Sequence, residues 1–278
     1  LTAMSIVMLG FGASIAFHPA LAQWLIDLVG WRQTWMWFGI LTWALMLPFL
    51  WLIANDKPES LGLYPDGVSP NQIQDNVIGE TQVGLKLHSA LKTKAFYIIG
   101  TGLFVPAMLV TSLFFFQVSI FEQQGLTSSL ATKMFSVSAL FMALTMPLVG
   151  RTLDKTDPKY VFSANLFLLS ILLVGITYVT DTTTAIIYAV CFGILNAGNM
   201  TLFGFLWANY FGRKHLGAIQ GVGQTIGVIG ASLGPLPLGI AHDIFGTYNG
   251  ALYLLAILPV VCGIAVLFLV APDLTTDD

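Results

Sequence analysis

The sequence predicts an all-α polytopic membrane protein, on the basis of its composition and its long apolar runs. Of the 278 residues, 56% are hydrophobic and 9% are charged, whereas a soluble domain carries about 25% charged residues. So few charges cannot cover a globular surface, but lipid can cover an apolar one. Because backbone groups in lipid must pair within the protein, each apolar run long enough to cross the bilayer is expected to be helical.

Eight apolar runs are long enough to span a bilayer. They lie at residues 2–27, 33–54, 95–120, 129–150, 159–179, 183–208, 216–241 and 249–271. The connectors are short except for one polar, proline-containing segment from about Asn55 to Lys94, whose last part, Val83 to Leu91, is amphipathic. We therefore predict two transmembrane helices within 1–55, a linker over 56–94 that ends in a surface helix, and a six-helix bundle over 95–278.

The basic residues predict the orientation of the chain in the membrane. Only Arg32 and Lys133 fall on the side opposite the linker. The other nine basic residues are Lys57, Lys86, Lys92, Lys94, Arg151, Lys155, Lys159, Arg213 and Lys214. Positive charge accumulates on the cytoplasmic side, so the linker and both ends of this chain are expected there. The net charge of −3 gives no indication of nucleic-acid binding.

An internal repeat is found when the sequence is aligned with itself after a shift of 216 positions. The matching pairs are Pro19 with Pro235, Asp27 with Asp243 and Gly30 with Gly246. A parallel repeat is typical of transporters that carry their substrate between two halves, near the membrane midplane. The sequence starts at Leu1, inside an apolar run, and we expect about four further helices to precede it. On this hypothesis the chain holds one complete six-helix bundle and two helices of the other.

Loop and helix motifs resemble the major facilitator superfamily. Residues 150–159 are similar to its cytoplasmic loop signature G-x-x-x-D-R-x-G-R-R, although Asp157 and Pro158 depart from it. The positions of this gating loop that we single out are Gly150, Arg151, Asp154, Lys155 and Lys159. Gly234-Pro235 resembles the family's G-P helix motif, and residues 210–213 and 242–248 are similar to monocarboxylate-porter-like members. The resemblance implies a partial major-facilitator fold that corresponds to helices five to twelve.

The resemblance also implies a function. A secondary active transporter would move a small solute by alternating access of the rocker-switch type, for example an organic anion such as a monocarboxylate. The alternatives are a drug or amphiphile efflux transporter of the same superfamily, and a non-transporting receptor or scaffold. The expected partners are the solute and the lipid bilayer. The expected location is the plasma membrane, as in a bacterial inner membrane, and the full-length protein is expected to be a monomer.

Enzymatic function is not predicted, because the sequence shows no cluster of His, Asp, Glu or Cys near one membrane interface. Cys191 and Cys262 lie inside apolar runs without metal-ligand spacing. No metal or cofactor is expected. The coupling ion is left open, with the proton as one candidate.

Polar residues inside the spans are the candidates for a substrate cavity. Asn196 and Asn199 lie one turn apart and share a helix face. The remaining candidates are Gln117, Gln224, His18 and Lys133. Each amide could instead form an interhelical hydrogen bond that only stabilises the bundle. His18 could carry a proton or stay neutral, and Lys133 could attract an anion or extend towards the headgroups.

The span 216–241 is rich in glycine, which allows close helix packing. Gly223, Gly227, Gly230 and Gly234 recur at helical spacing, followed by Pro235. Either static packing or a helix that rocks between the two bundles explains this glycine stripe. We expect the stripe to face the bundle to which residues 1–55 belong.

The resemblance also implies a role for the gating loop, in which Asp154 holds the cytoplasmic side closed. Its carboxylate would face the partial positive charge at the N-terminus of the first span.

Overall fold

A computed structural model describes residues 14, 18, 21–22, 24–53 and 84–274, and these are almost entirely helical. Within the described residues, seven helical segments are long and apolar enough to cross a bilayer. The predicted all-α polytopic fold is confirmed. The first predicted span, 2–27, lies mostly outside the described residues. The chain divides into two compact units, Phe17–Gln82 and Leu1–Ala16 with Val83–Asp278.

The smaller unit contains one long described helix, α1 (Trp31–Ile53). Gly30 precedes it with a φ of +81°, and the Thr34 hydroxyl donates to the Gly30 carbonyl at 2.9 Å. Large apolar side chains such as Trp43 and Trp51 are exposed along it. A helix of this length with an exposed apolar surface is suited to contact with lipid.

The larger unit holds the remaining elements. They are α2 (Leu87–Ala90), α3 (Lys94–Gln123), α4 (Ser128–Leu153), α5 (Pro158–Gly175) with a 3₁₀ turn (Ile176–Tyr178), α6 (Thr182–Phe211), α7 (Leu216–Leu233), α8 (Pro235–Phe245), α9 (Asn249–Leu255) and α10 (Ile257–Leu267). The helices α7 and α8 together form one membrane-length segment, as do α9 and α10. The larger unit therefore contributes six of the seven described segments.

Side-chain caps fix where the long helices begin. Thr93 accepts from the Phe96 N–H at the start of α3, and Thr127 accepts from the Leu130 N–H at the start of α4. At the start of α6, the Thr184 N–H and hydroxyl both donate to the Asp181 carboxylate. These bonds favour the ionised acid and hold the pKa of Asp181 below its usual range.

The loop residues that depart from the family signature serve the start of α5. The Asp157 side chain accepts from the Lys159 N–H at 3.1 Å, and Pro158 occupies the first turn. An acidic cap followed by proline is a favourable helix start, because proline has no N–H that would need a partner there.

Glycines allow the helices of the larger unit to approach closely. The helix α4 packs on α6, α3 packs on α7, and α5 packs on α10 and α6. A Cβ atom at Gly193 of α6 would collide with the Ser138 carbonyl of α4, and one at Gly263 of α10 would lie 3.2 Å from the Phe167 ring. These contacts place backbone directly against neighbouring helices, as is typical of membrane bundles.

The glycine stripe of α7 packs within its own unit, so the expectation that it faces the other half is wrong for three of its four members. A Cβ atom at Gly223 would lie 2.5 Å from the Trp207 ring. At Gly230 and Gly234 it would lie 2.7 Å and 2.6 Å from backbone carbonyls of α3. Close approach of α3 and α6 accounts for these glycines. A Cβ atom at Gly227 would meet no atom within 4 Å. A rocking role for the stripe stays a prediction.

The predicted span 216–241 is broken at Gly234-Pro235 into α7 and α8, and α8 continues to Phe245. Proline has no N–H, so Pro235 and Pro237 leave carbonyls of the preceding turn without helical donors. The Ala231 carbonyl instead accepts from the Gly234 N–H at 3.1 Å. The Ser112 hydroxyl of α3 donates to the Gly234 carbonyl, so the break is hydrogen-bonded to the neighbouring helix.

The amphipathic segment at the end of the linker lies with one side on the bundle, while Lys86 and His88 are exposed. Gly84 pairs with Gly212, and the Leu85 N–H donates to the Phe211 carbonyl at 3.0 Å. Leu85 and Ala90 are both fully buried in a core that also holds Phe211. The apolar side of the amphipathic segment is therefore covered by the bundle, and only α2 is helical in it.

We predict that Gly230→Ala lowers the thermal stability of the protein, because the added methyl group meets a backbone carbonyl that cannot move aside. Overpacking of this kind costs roughly 1–3 kcal/mol. Gly221→Ala in the same helix is the matched control, since its Cβ atom would meet nothing within 4 Å. Thermal unfolding in detergent, followed by size-exclusion chromatography, measures both variants. Equal unfolding temperatures would show that the α3–α7 contact is not tight.

Candidate substrate cavity

A cavity of about 660 Å³ lies among α3, α4, α6 and α7. Its volume falls within the range of small-molecule sites, roughly 300–1,000 Å³. The lining residues include Pro106, Val110, Thr111, Phe114, Phe135, Ser138, Met142, Asn196, Asn199, Met200, Phe203, Gln220, Gln224 and Gly227. All of them belong to the larger unit.

The walls of the cavity are mostly apolar and partly aromatic. The Phe114 and Phe135 rings stack with centroids 5.5 Å apart and planes 10° from parallel, and Met142 and Phe203 contribute further apolar surface. No charged residue is found among the described residues of the lining. These walls can hold an apolar or aromatic body, and they offer an ion no opposite charge.

The hydroxyl groups of the lining already donate to backbone carbonyls. Thr111 donates to the Ala107 carbonyl at 2.7 Å. The Ser138 hydroxyl lies 2.9 Å from the carbonyls of both Met134 and Ala189. Because each hydroxyl has a single proton, neither is free to donate to a ligand. The amide side chains are the remaining polar groups.

Each of the two asparagines of α6 makes one side-chain hydrogen bond to the protein. The Asn196 Nδ2 group donates to the Phe192 carbonyl at 2.8 Å, and its Oδ1 atom has no hydrogen-bond partner among the described residues. The Asn199 Oδ1 atom accepts from Asn165 Nδ2 at 2.7 Å, and its own Nδ2 group has no such partner there. One turn of helix therefore carries an amide oxygen, on Asn196, and an amide NH2 group, on Asn199, that have no partner among the described residues.

The structure brings three of the predicted cavity residues together and leaves three elsewhere. Asn196, Asn199 and Gln224 line the cavity. Gln117 is buried and its Nε2 group donates to the Ala131 carbonyl at 3.1 Å, which joins α3 to α4. Lys133 is exposed on α4. His18 belongs to the smaller unit, where its ring lies 4.8 Å from that of Phe38.

Two lining residues, Phe114 and Phe135, and one residue behind the wall, Asn165, are not predicted from the sequence. Asn165 is an amide inside the apolar run 159–179, which is the same signal that Asn196 gives. Phe114 and Phe135 gave no signal, because aromatic residues are common throughout the spans and pairing between two helices depends on their packing. Gln220 lies one turn from Gln224, and both line the cavity.

The predicted gating loop lies at the end of α4. Gly150 is buried, and Arg151, Asp154 and Lys155 are exposed. The Asp154 N–H donates to the Gly150 carbonyl at 3.1 Å. Its carboxylate has no hydrogen-bond or salt-bridge partner within the part of the chain that the structure describes. Lys159 instead pairs with Asp157, with Nζ 3.2 Å from Oδ2.

Comparison with known families agrees with the fold. The sequence model of the Major Facilitator Superfamily matches residues 1–235 and, in a second alignment, residues 102–277. Comparison with curated proteins finds no match. Together the family matches extend over residues 1–277, and seven described segments are able to cross a membrane. The chain is therefore a multi-pass membrane protein that belongs to the transporters of the Major Facilitator Superfamily.

Proposed function

We propose that the protein is a secondary active transporter that moves a small solute across the plasma membrane by alternating access. The cavity among α3, α4, α6 and α7 would form part of the solute path. The observation that carries this proposal is a cavity among membrane-spanning helices with unused amide groups on its wall. Polar groups at such a depth are unfavourable without partners and commonly mark substrate paths.

Two substrate classes follow from the sequence, and the cavity favours one of them. A monocarboxylate transferred out of water needs an opposite charge or several strong donors. The described lining offers amides and aromatic rings, without a cation. We therefore propose a neutral amphiphile as the substrate, in preference to an organic anion.

The proposed orientation places the linker and both ends of this chain in the cytoplasm. Nine of the eleven basic residues support it. The loop that holds Asp154 would then lie on the cytoplasmic side. There its unpartnered carboxylate is available to the other bundle when the cytoplasmic side is closed. Such a contact would shift the balance between two conformations without changing the fold.

Counterflow into proteoliposomes that contain the complete gene product tests transport. The probes are nicotinamide, nicotinate and 3-picolylamine, which share a pyridine ring and differ in charge. Uptake is measured with and without a pH gradient and corrected with protein-free liposomes. We expect nicotinamide to exchange fastest. Faster exchange of nicotinate would instead support the monocarboxylate, and no exchange of any probe would contradict the proposed substrate class.

We predict that Asn199→Leu and Asn196→Leu each lower the nicotinamide counterflow rate about tenfold while expression stays normal, because each removes a hydrogen bond to the solute. Thr201→Val is the matched control. Thr201 lies in the same helix, donates to the Ala197 carbonyl and is not part of the lining. Parallel losses of expression and transport would indicate that the asparagines only stabilise the bundle.

We predict that Asp154→Asn folds normally and shifts the population towards the inward-open state, because it removes the charge that favours closure. Asp157→Asn is the control, since it removes an equal charge while asparagine still caps the helix. Spin labels at Arg213 and Trp51, near the ends of α6 and α1 that the proposed orientation places towards the cytoplasm, report the distance between the two halves there. If Asp154→Asn and the unaltered protein show the same distance distribution, the charge of Asp154 does not affect closure. The loop would then only help to set the orientation of the chain in the membrane.

A further inference from the structure

Asn165 of α5 lies behind the cavity wall, not in it. Its side chain is 8% exposed, and it is not among the lining residues. Its Nδ2 group donates to the Oδ1 atom of Asn199 at 2.7 Å. The buried side chain of Asn165 is thus hydrogen-bonded to a residue that does line the cavity.

Gly198 determines how the Asn165 amide is oriented. A Cβ atom at this position would collide with Asn165 Oδ1 before any other atom. The amide oxygen of Asn165 therefore lies against the glycine, and the amide nitrogen is left for Asn199. Any larger residue at position 198 would displace the amide and the bond that it makes.

The bond to Asn165 has a direct consequence for Asn199. Because Asn165 donates to its oxygen, Asn199 keeps one lone pair and both N–H groups for a ligand, so it is mainly a donor. Asn196 is held through its nitrogen, since one of its two N–H groups donates to the Phe192 carbonyl, and both lone pairs of its oxygen are left for a ligand. Residues three apart on a helix have Cβ atoms about 5–6 Å apart. One ligand group can therefore contact both.

We propose that Asn165 is a positioning residue that makes the cavity selective for a neutral solute with an acceptor and a donor side by side. A primary carboxamide on an aromatic or apolar body has this pattern. Its oxygen would accept from Asn199 and its nitrogen would donate to Asn196, while the body lies on the Phe114–Phe135 pair. The inference rests on the proposed function, because it assumes that the solute occupies this cavity.

The same pattern is expected to disfavour charged analogues. A carboxylate has only acceptors, so it cannot use the Asn196 oxygen, and an ammonium group has only donors, so it cannot use the Asn199 N–H groups. Each charged group therefore loses one of the two contacts that a carboxamide makes, which lowers its affinity relative to the carboxamide.

Three neutral pyridines of similar shape test the pattern by direct binding. Nicotinamide carries an acceptor and a donor, 3-acetylpyridine carries the acceptor alone, and 3-ethylpyridine carries neither. Dissociation constants for the complete gene product in detergent are measured by ligand-observed NMR. We expect affinity to fall in that order, by about tenfold for each lost hydrogen bond. Equal affinities for the three, or binding of none, would overturn the proposed ligand class.

The variant Asn165→Leu tests the positioning role. It should reduce the preference for nicotinamide over 3-ethylpyridine about tenfold, because Asn199 is no longer held. In an Asn199→Leu background the same change should have no further effect on this preference. Ser163→Ala is the matched control, since Ser163 is also buried in α5 and donates to the Gly263 carbonyl, away from the cavity. If Asn165→Leu does not fold, Asn165→Ala takes its place.

The outcomes separate this inference from the transport proposal. An unchanged preference in Asn165→Leu, or an equal further loss in the Asn199→Leu background, would overturn the positioning role even if counterflow persists. The expected preferences without any counterflow would support the inference and contradict transport.

Discussion

The rest of the structure depends on one constraint, which is that polar groups inside the bilayer must find partners within the protein. Backbone groups meet it by forming helices. Four buried or half-buried serines meet it by donating to a carbonyl of another helical segment. These bonds are Ser112 to Gly234, Ser138 to Ala189, Ser163 to Gly263 and Ser170 to Ala256. Each of them holds two segments together, so the same requirement that forms the helices also arranges them.

Close approach of the helices makes these bonds possible, and the cavity lies where the pattern is incomplete. Gly193, Gly230 and Gly234 bring backbone against backbone. Beside Gly227 the packing opens, because a Cβ atom there would meet nothing within 4 Å. In the same region Asn196 and Asn199 are each satisfied on one side only. Because both side chains are held by a bond to the protein on one side, the cavity wall has a defined hydrogen-bonding pattern.

The fold could be read from the sequence, because the length and apolarity of the spans are properties of single segments. Seven of the predicted spans match described helices to within a few residues. The partners of individual residues could not be read in the same way. Gln117 and Asn199 are both amides inside apolar spans, yet one joins α3 to α4 and the other lines the cavity. The direction faced by Gly223 and Gly230 likewise depends on how α7 packs against its neighbours.

Water access to Gly227 tests the central claim most directly, because an exposed surface within the membrane is wetted if it lines a solute path and dry if it faces lipid. Gly227→Cys is made in a background with Cys191→Ala and Cys262→Ala and treated with a membrane-impermeant thiosulfonate. The control is Val261→Cys, at a position of α10 that is 57% exposed and outside the cavity lining. We expect the cysteine at position 227 to react and to be protected by nicotinamide, while the one at 261 stays unmodified. Equal reactivity at the two positions would contradict the assignment of this cavity to the solute path.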